Sequence, residues 1–232
     1  MELHSLNRRF ADNILSKVGN TDAAEPFLAI GRTVQAERNE RIRLDDEWPK
    51  FVFIGGGATK LVAHASSGRE QIVAFHFQDD LVSIPSRGPH AYYLCALEDC
   101  EMLVFRADKF MALADQQPAI LGEICKRSLA ALWRCREKAI QLGRKTARER
   151  MANFLLAMAE RNGSGSNGSC EVQLPMSRRD IADGLGLTIE TVSRQLGELK
   201  TEGLISTSGR STVNLHDLQT LRARADLLPD TG

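Results

Sequence analysis

Glu190, Thr191, Ser193 and Arg194 lie within five positions of one another in a chain of 232 residues. Their side chains suit the edges of nucleic-acid bases. A carboxylate accepts from the amino group of cytosine, a guanidinium forks onto guanine, and a serine adjusts to either partner. Each well-placed contact of this kind is worth about 1–3 kcal/mol of discrimination. On a helix, this spacing gathers the side chains on the first two turns, the part of a recognition helix that enters a major groove. The plainer alternative is a solvated face of an ordinary helical hairpin.

The flanking residues supply the elements such a face needs. Ser177 is a good N-cap, and Asp180 three residues later completes the pattern of a capping box. Ile181, Ala182 and Leu185 then share one face of a short helix. Gly186 permits a sharp turn with a positive backbone angle. Thr188 caps a second helix whose apolar stripe is Ile189, Val192, Leu196 and Leu199. Two short helices joined by a tight glycine turn read as a helix-turn-helix. Downstream, Gly203 to Ser206 and Thr212 to Leu215 flank Ser208-Gly209-Arg210, which reads as a hairpin wing with Arg210 at its tip. A final helix is expected from Asp217 to about Leu227. Upstream, a helix is expected over roughly Arg144 to Arg161, then a flexible loop from Asn162 to Ser169 and a short strand from Glu171 to Leu174.

Further towards the N-terminus, Leu121, Cys125, Ser128, Leu132, Cys135, Ala139 and Leu142 follow the 4-3-4-3 spacing of a coiled-coil seam. Several of them are small or weakly apolar, and the alternative is a helix packing on its own domain. Gly143 marks the expected end of that helix or a hinge. Between Lys126 and Arg150 nine Lys or Arg face only Glu137 and Glu149; a solvated flank is the plainer reading, phosphate steering the other. From Pro26 to about Phe105 the texture is of short strands. Ile42 and Leu44 alternate with arginines, Phe51 to Ile54 end in Gly55-Gly56-Gly57, and Leu61 to Ala63, Gln71 to Phe77 and Met102 to Phe105 follow. Glycine, serine and aspartate turns between them suggest a small sandwich or roll.

The run Asp180-Ile181-Ala182-Asp183 through Leu185-Gly186-Leu187-Thr188-Ile189-Glu190-Thr191-Val192-Ser193-Arg194 resembles the DNA-binding signature of the Crp/Fnr superfamily. The Glu190, Ser193, Arg194 triple is similar to that of its Fnr and FixK branches. In the cyclic-AMP receptor branch an arginine precedes the glutamate and a glycine fills the serine position; here these are Ile189 and Ser193. Gly184 departs from the larger side chain that relatives often carry. Ser67 to Phe77 is similar to the sensor-roll hairpin of the same branches, which Pro-Gly-Asp usually follows; here it is Gln78-Asp79-Asp80.

The resemblance implies an α+β architecture. An N-terminal β-roll of the cyclic-nucleotide-binding, jelly-roll type would span 1–115, a dimerisation helix 116–143 and a winged helix-turn-helix DNA-binding domain 144–232. It also implies a homodimeric transcription regulator, an activator by family habit and so a partner of RNA polymerase. The operator would be a palindrome of TTGA and TCAA separated by about six base pairs, with half-sites one helical turn apart. Arg194 and Glu190 would read the central G·C pair, and Ser193 an outer A·T pair. Arg178, Thr188, Thr191 and Arg210 would position phosphates. Asp183, late in the first helix, would face either phosphate or protein.

Other functions find less support. Net charge is zero, so nucleic-acid binding would rest on focused contacts. No apolar run approaches the roughly 20 residues of a membrane span, and the first twenty residues have no signal-peptide core. Five cysteines without dense spacing suit a reducing, cytoplasmic setting. Gly55-Gly56-Gly57-Ala58-Thr59-Lys60 lacks the ending of a phosphate loop, and neither a zinc-protease helix nor a Gly-x-Ser-x-Gly elbow is present, so an enzyme is not expected. After Asp80 the sequence reads LVSIPSRGP, without the Gly-Glu and Arg-Ser pairs of cyclic-nucleotide-binding relatives. None of the first 94 residues is cysteine, unlike the N-terminal cluster of oxygen-sensing relatives. Cys95 and Cys100 alone are too few for a metal site, which normally takes four ligands, and the five histidines are scattered. No cofactor or metal is therefore expected. The alternative function is a ligand- or redox-responsive module that uses its winged helix for protein contact.

Overall fold

The computed structural model describes residues 2–15, 24–45, 47–64, 68–86, 88–165, 168–209 and 211–227. The chain divides into two compact units, Met1–Trp133 and Arg134–Gly232.

In the first unit, two four-stranded antiparallel sheets face each other. One has the order β1 (Arg32–Ala36), β8 (Cys100–Arg106), β3 (Lys50–Gly56), β6 (Leu81–Ile84). The other runs β2 (Arg41–Ile42), β7 (Ala91–Ala96), β4 (Ala58–His64), β5 (Glu70–Phe77). The alternation of each strand decides what lies between them. Val52, Ile54, Met102 and Val104 meet Leu61 and Leu94 from the opposing sheet, with Ile42, Val82 and Ile84, in one apolar core.

The intervening residues of the first sheet, Phe53, Leu103 and Phe105, point the other way and carry a second core. Three helices and the start of a fourth cover it: α1 (Glu2–Phe10), prolonged by one π-helical turn over Ala11–Leu15, α2 (Ala24–Ile30), α3 (Ala107–Ala114) and α4 (Pro118–Arg144). Phe10 sits at the centre, with ring centroids 5.4 Å from Phe53, 5.2 Å from Phe105 and 6.4 Å from Phe110. The expected strand texture therefore begins later than Pro26, which lies inside α2. Leu44 lies outside β2. The Gly55-Gly56-Gly57 run does more than turn. Gly55 and Gly56 belong to β3, and a Cβ at Gly55 would collide with Leu6 of α1, so this glycine lets the N-terminal helix lie directly on the sheet.

The second unit is built on α5 (Ala147–Asn162), which Thr146 caps through a capping box with Glu149. It buries Met151, Ala152, Phe154, Leu155, Leu156 and Met158. Around it lie α6 (Arg178–Leu185), α7 (Ile189–Thr201), α8 (Leu218–Arg224) and a four-stranded sheet. The sheet has the order β11 (Ile205–Ser208), β12 (Thr212–Leu215), β10 (Cys170–Gln173), β9 (Gly163–Ser164). Part of the expected Asn162–Ser169 loop is thus structured. Gly163 and Ser164 pair with Val172 and Glu171, and a Cβ at Gly163 would collide with the Cys170 sulfur and the Ala159 carbonyl. Gly143 lies within α4, which continues to Arg144.

Candidate nucleic-acid interface

The capping expected of Ser177 is present in full. Its hydroxyl accepts from the Asp180 backbone N–H at 3.1 Å, and the Asp180 carboxylate accepts from the Ser177 N–H at 2.9 Å and its hydroxyl at 2.6 Å. Ile181, Ala182 and Leu185 are buried beneath α6. Gly186 takes the left-handed conformation, with φ 63° and ψ 42°, and Leu187 N–H returns to the Ala182 carbonyl at 2.9 Å. That closes the helix with the geometry a glycine permits at little cost. Thr188 then caps α7, accepting from Thr191 N–H at 3.2 Å. Val192, Leu196 and Leu199 are buried and Ile189 is half-buried, which fixes the rotation of α7. Gln195, a polar residue the apolar stripe did not include, is buried with them.

With that rotation set, Glu190 and Arg194 are exposed, and Thr191 and Ser193 half-buried, on the first two turns of α7. Glu190 has its carboxyl pKa lowered from 4.5, by its own backbone N–H and then by the Thr188 hydroxyl. It is therefore an ionised, acceptor-only group at neutral pH. Arg194 Nε lies 3.9 Å from Glu198, one turn on. Thr188 and Thr191 hold each other through their hydroxyls at 3.1 Å. Arg178, at the start of α6, donates from Nη1 to the Ser193 hydroxyl at 3.2 Å. The structure thus joins a residue expected to position phosphate to one expected to read a base. Asp183 is exposed on α6. The wing strands β11 and β12 pair from Ile205↔Leu215 to Ser208↔Thr212, with Gly209 at φ 64° in the connection. Arg210 lies outside the described residues.

The basic run contains residues whose roles depend on tertiary neighbours. Arg150 donates to three backbone carbonyls: Lys145 at 2.9 Å, Leu185 at 3.1 Å and Leu142 at 2.9 Å. It ties the last turn of α6 to the end of α4. In the first unit Arg127 pairs with the buried Glu123 at 2.8 Å and donates to the Asp79 carbonyl and to both oxygens of Asn13. Neither is a solvated flank residue, and only the folded chain reveals their acceptors.

Of the spaced residues on α4, Leu121 is half-buried, while Cys125, Ser128, Leu132, Cys135, Ala139 and Leu142 are exposed. Leu129, Trp133 and Ile140 are exposed as well, at 61%, 63% and 49%. At about 100° per residue these three fall within about 40° of one another, beside the 4-3 stripe and not on it. Leu142 also approaches the helix-turn-helix: a Cβ on Gly186 would lie 3.1 Å from it.

Cys95 and Cys100 are buried. Burial, ahead of the neighbouring Asp99, pushes the Cys100 thiol up to about 11, so it is not a thiolate at neutral pH. Among the described residues no three His, Cys, Asp or Glu side chains form a metal-binding group, and no helix is long and apolar enough to cross a membrane.

A two-sheet roll followed by a long helix and a capped helix-turn-helix with a wing is the architecture of a class of transcription regulators. Comparison with known proteins places the chain within that class. Residues 149–224 match the Crp-like helix-turn-helix domain and residues 33–117 the cyclic nucleotide-binding domain. The nitrogen fixation regulation protein FixK of Azorhizobium caulinodans is 36% identical over 202 residues, covering 86% of this chain and 81% of that protein. The transcriptional activator FnrL of Cereibacter sphaeroides is 36% identical over 180 residues, covering 76% and 73%. The structure of FixK2 from Bradyrhizobium japonicum superposes with a TM-score of 0.75 at 31% identity, over 86% of this chain and all of that one. A CooA mutant from Carboxydothermus hydrogenoformans shares the fold, with a TM-score of 0.76 at 23% identity over 92% and 96%. The chain belongs to the Crp/Fnr superfamily of transcription regulators, in its FixK/Fnr branch.

Proposed function

We propose that this regulator is a cytoplasmic homodimer, not an enzyme, that activates transcription from palindromes of TTGA and TCAA about six base pairs apart. The observation that carries the reading is the outward face of α7. Buried Val192, Leu196 and Leu199 hold Glu190, Ser193 and Arg194 towards solvent on the helix's first two turns. Arg194 forks onto the guanine and ionised Glu190 accepts from the cytosine amino group of the central pair, and Ser193 meets an outer A·T pair. Arg178, Thr188, Thr191 and Arg210 position the backbone. The named relatives, a nitrogen fixation regulator and a transcriptional activator, support the activator role and with it a contact to RNA polymerase.

A second copy of the chain pairs along α4. Support for this comes from Leu129, Leu132, Trp133 and Ile140, which together leave a large apolar face in water on a single chain. The pairing stripe accordingly takes in Leu129, Trp133 and Ile140 beside Leu121, Cys125, Ser128, Leu132, Cys135, Ala139 and Leu142. Two recognition helices about 34 Å apart would then meet successive turns of one DNA face. The roll over residues 1–115 is the sensor-like domain, with the pairing helix over 116–143 and the DNA-binding domain over 144–232.

Arg194→Ala tests the base-reading assignment. It should reduce the preference for TTGA over the half-site with its G·C pair changed to A·T by about tenfold, within the range for one base contact. Competition titrations on both duplexes measure this. Equal weakening on cognate and altered DNA would contradict it.

A further inference from the structure

We infer that Arg178 biases the hydrogen-bonding polarity of Ser193, and so makes the outer base contact favour an acceptor, thymine O4, over a donor, the cytosine amino group. The inference rests on the proposal that Ser193 faces that base pair, and it changes what Arg178 contributes.

A serine hydroxyl carries one donor hydrogen and two acceptor lone pairs and turns freely, so by itself it tolerates either kind of base edge. Thymine and cytosine differ at the same major-groove position, O4 accepting and N4 donating. A lone serine at that position discriminates poorly between them. Here the Arg178 guanidinium donates to the Ser193 oxygen at 3.2 Å. Arginine stays protonated and can only donate. It therefore takes one of the two lone pairs, directs the hydroxyl hydrogen away from itself and, by polarising the oxygen, makes the hydroxyl a stronger donor and a weaker acceptor. Helical serines often send that hydrogen to the carbonyl four residues back. Among the described residues Ser193 instead has Arg178 as its side-chain hydrogen-bond partner. The hydrogen is left for the base, and a cytosine amino group would meet either that donor or the one weakened lone pair that remains.

The elements hold the pair in place. Arg178 opens α6 immediately after the Ser177 cap, and Ser193 lies in the second turn of α7, whose rotation is fixed by buried Val192 and Leu196. One bond uses one of the five guanidinium donors, so a phosphate contact from the same side chain remains compatible. Arg178 is thus a positioning residue acting through Ser193.

The test compares binding of wild type, Arg178→Ala, Ser193→Ala and the double variant to the TTGA/TCAA palindrome and to palindromes with either outer T·A pair changed to C·G. The readout is the ratio of affinities for the T and C probes, which does not depend on the active fraction of each preparation. Arg178→Ala should shrink that ratio roughly fivefold, the low end for one base contact. It should reach the value of Ser193→Ala, with no further change in the double variant. If Arg178→Ala weakens every probe by one common factor while Ser193→Ala shrinks the ratio, the polarity role is wrong and base reading by Ser193 stands. If Ser193→Ala leaves the ratio unchanged, Ser193 does not read that base, and both the inference and that part of the proposed function fail.

Discussion

Arg150 shows how one side chain can hold a recognition unit together. Its three donors end on the carbonyls of Lys145, Leu185 and Leu142, two of them at helix ends where carbonyls lack intrahelical partners. Hydrogen bonds to a charged group contribute more than neutral ones. Arg150→Ala should therefore lower the stability of the second unit by about 2 kcal/mol. Urea unfolding monitored by circular dichroism measures this, and an unchanged midpoint would show that the carbonyls are equally well served by water. The chemistry of Arg150 was not legible beforehand, because a basic run has the same composition whether its members face solvent or clasp carbonyls 35 positions away. Glu190 and Arg194 were legible for the opposite reason. Local caps and an apolar stripe settle which way they face.

At the scale of elements, caps and glycines carry most of the information. The capping boxes at Thr146 and Ser177 and the caps at Thr188 and Asp217 follow short-range rules, so the helices of the second unit start where the sequence places them, within a few residues. Their carboxylates give the second unit an acid limit. Glu149 has its pKa lowered from 4.5, first by the Thr146 backbone N–H, and Asp217 has its own lowered from 3.8, first by the Thr220 hydroxyl. Because the folded values lie below the unfolded ones, this stabilisation is full well above the unfolded value of 4.5 and is lost as pH falls through the folded values. Thermal melts should accordingly be flat in this respect above about pH 5 and fall below about 4. Replacing Asp217 with Asn should flatten part of that fall, and an identical acid profile would contradict its role. Gly197 offers a test in the other direction. It lies in α7 with nothing within 4 Å of where a Cβ would stand. Alanine is better than glycine in a helix by about 1 kcal/mol, so Gly197→Ala should raise the melting temperature. It also lies seven residues after Glu190, on the same face of the helix. A variant no more stable than wild type would contradict the expectation from helix propensity.

For the whole molecule, the two-unit architecture was legible where patterns are local and obscure where they are not. Strand texture and its turns pointed to a roll, yet β1, β6 and β7 were not set apart. Their pairing partners are distant, as in β1 with β8 across some 68 positions. The docking of α1 was also missed. Its signal was the four-residue spacing of Leu6, Phe10 and Ile14, all buried, but intervening charged residues masked it until Gly55 and the phenylalanine cluster supplied the surface it covers. The 4-3 spacing on α4 was legible in the sequence, whereas the exposed Leu129, Trp133 and Ile140 beside it stand out only once helix and burial are known together. The proposed function is that of a dimer that reads a TTGA/TCAA palindrome through Glu190, Ser193 and Arg194. A mobility-shift titration of the purified protein, in air and without added ligand, tests that most directly. The probes are a TTGA/TCAA palindrome, a TGTGA/TCACA palindrome and a scramble. Tight binding to the first, with little to the other two, is expected; preference for the second, or equal binding to all three, would contradict it.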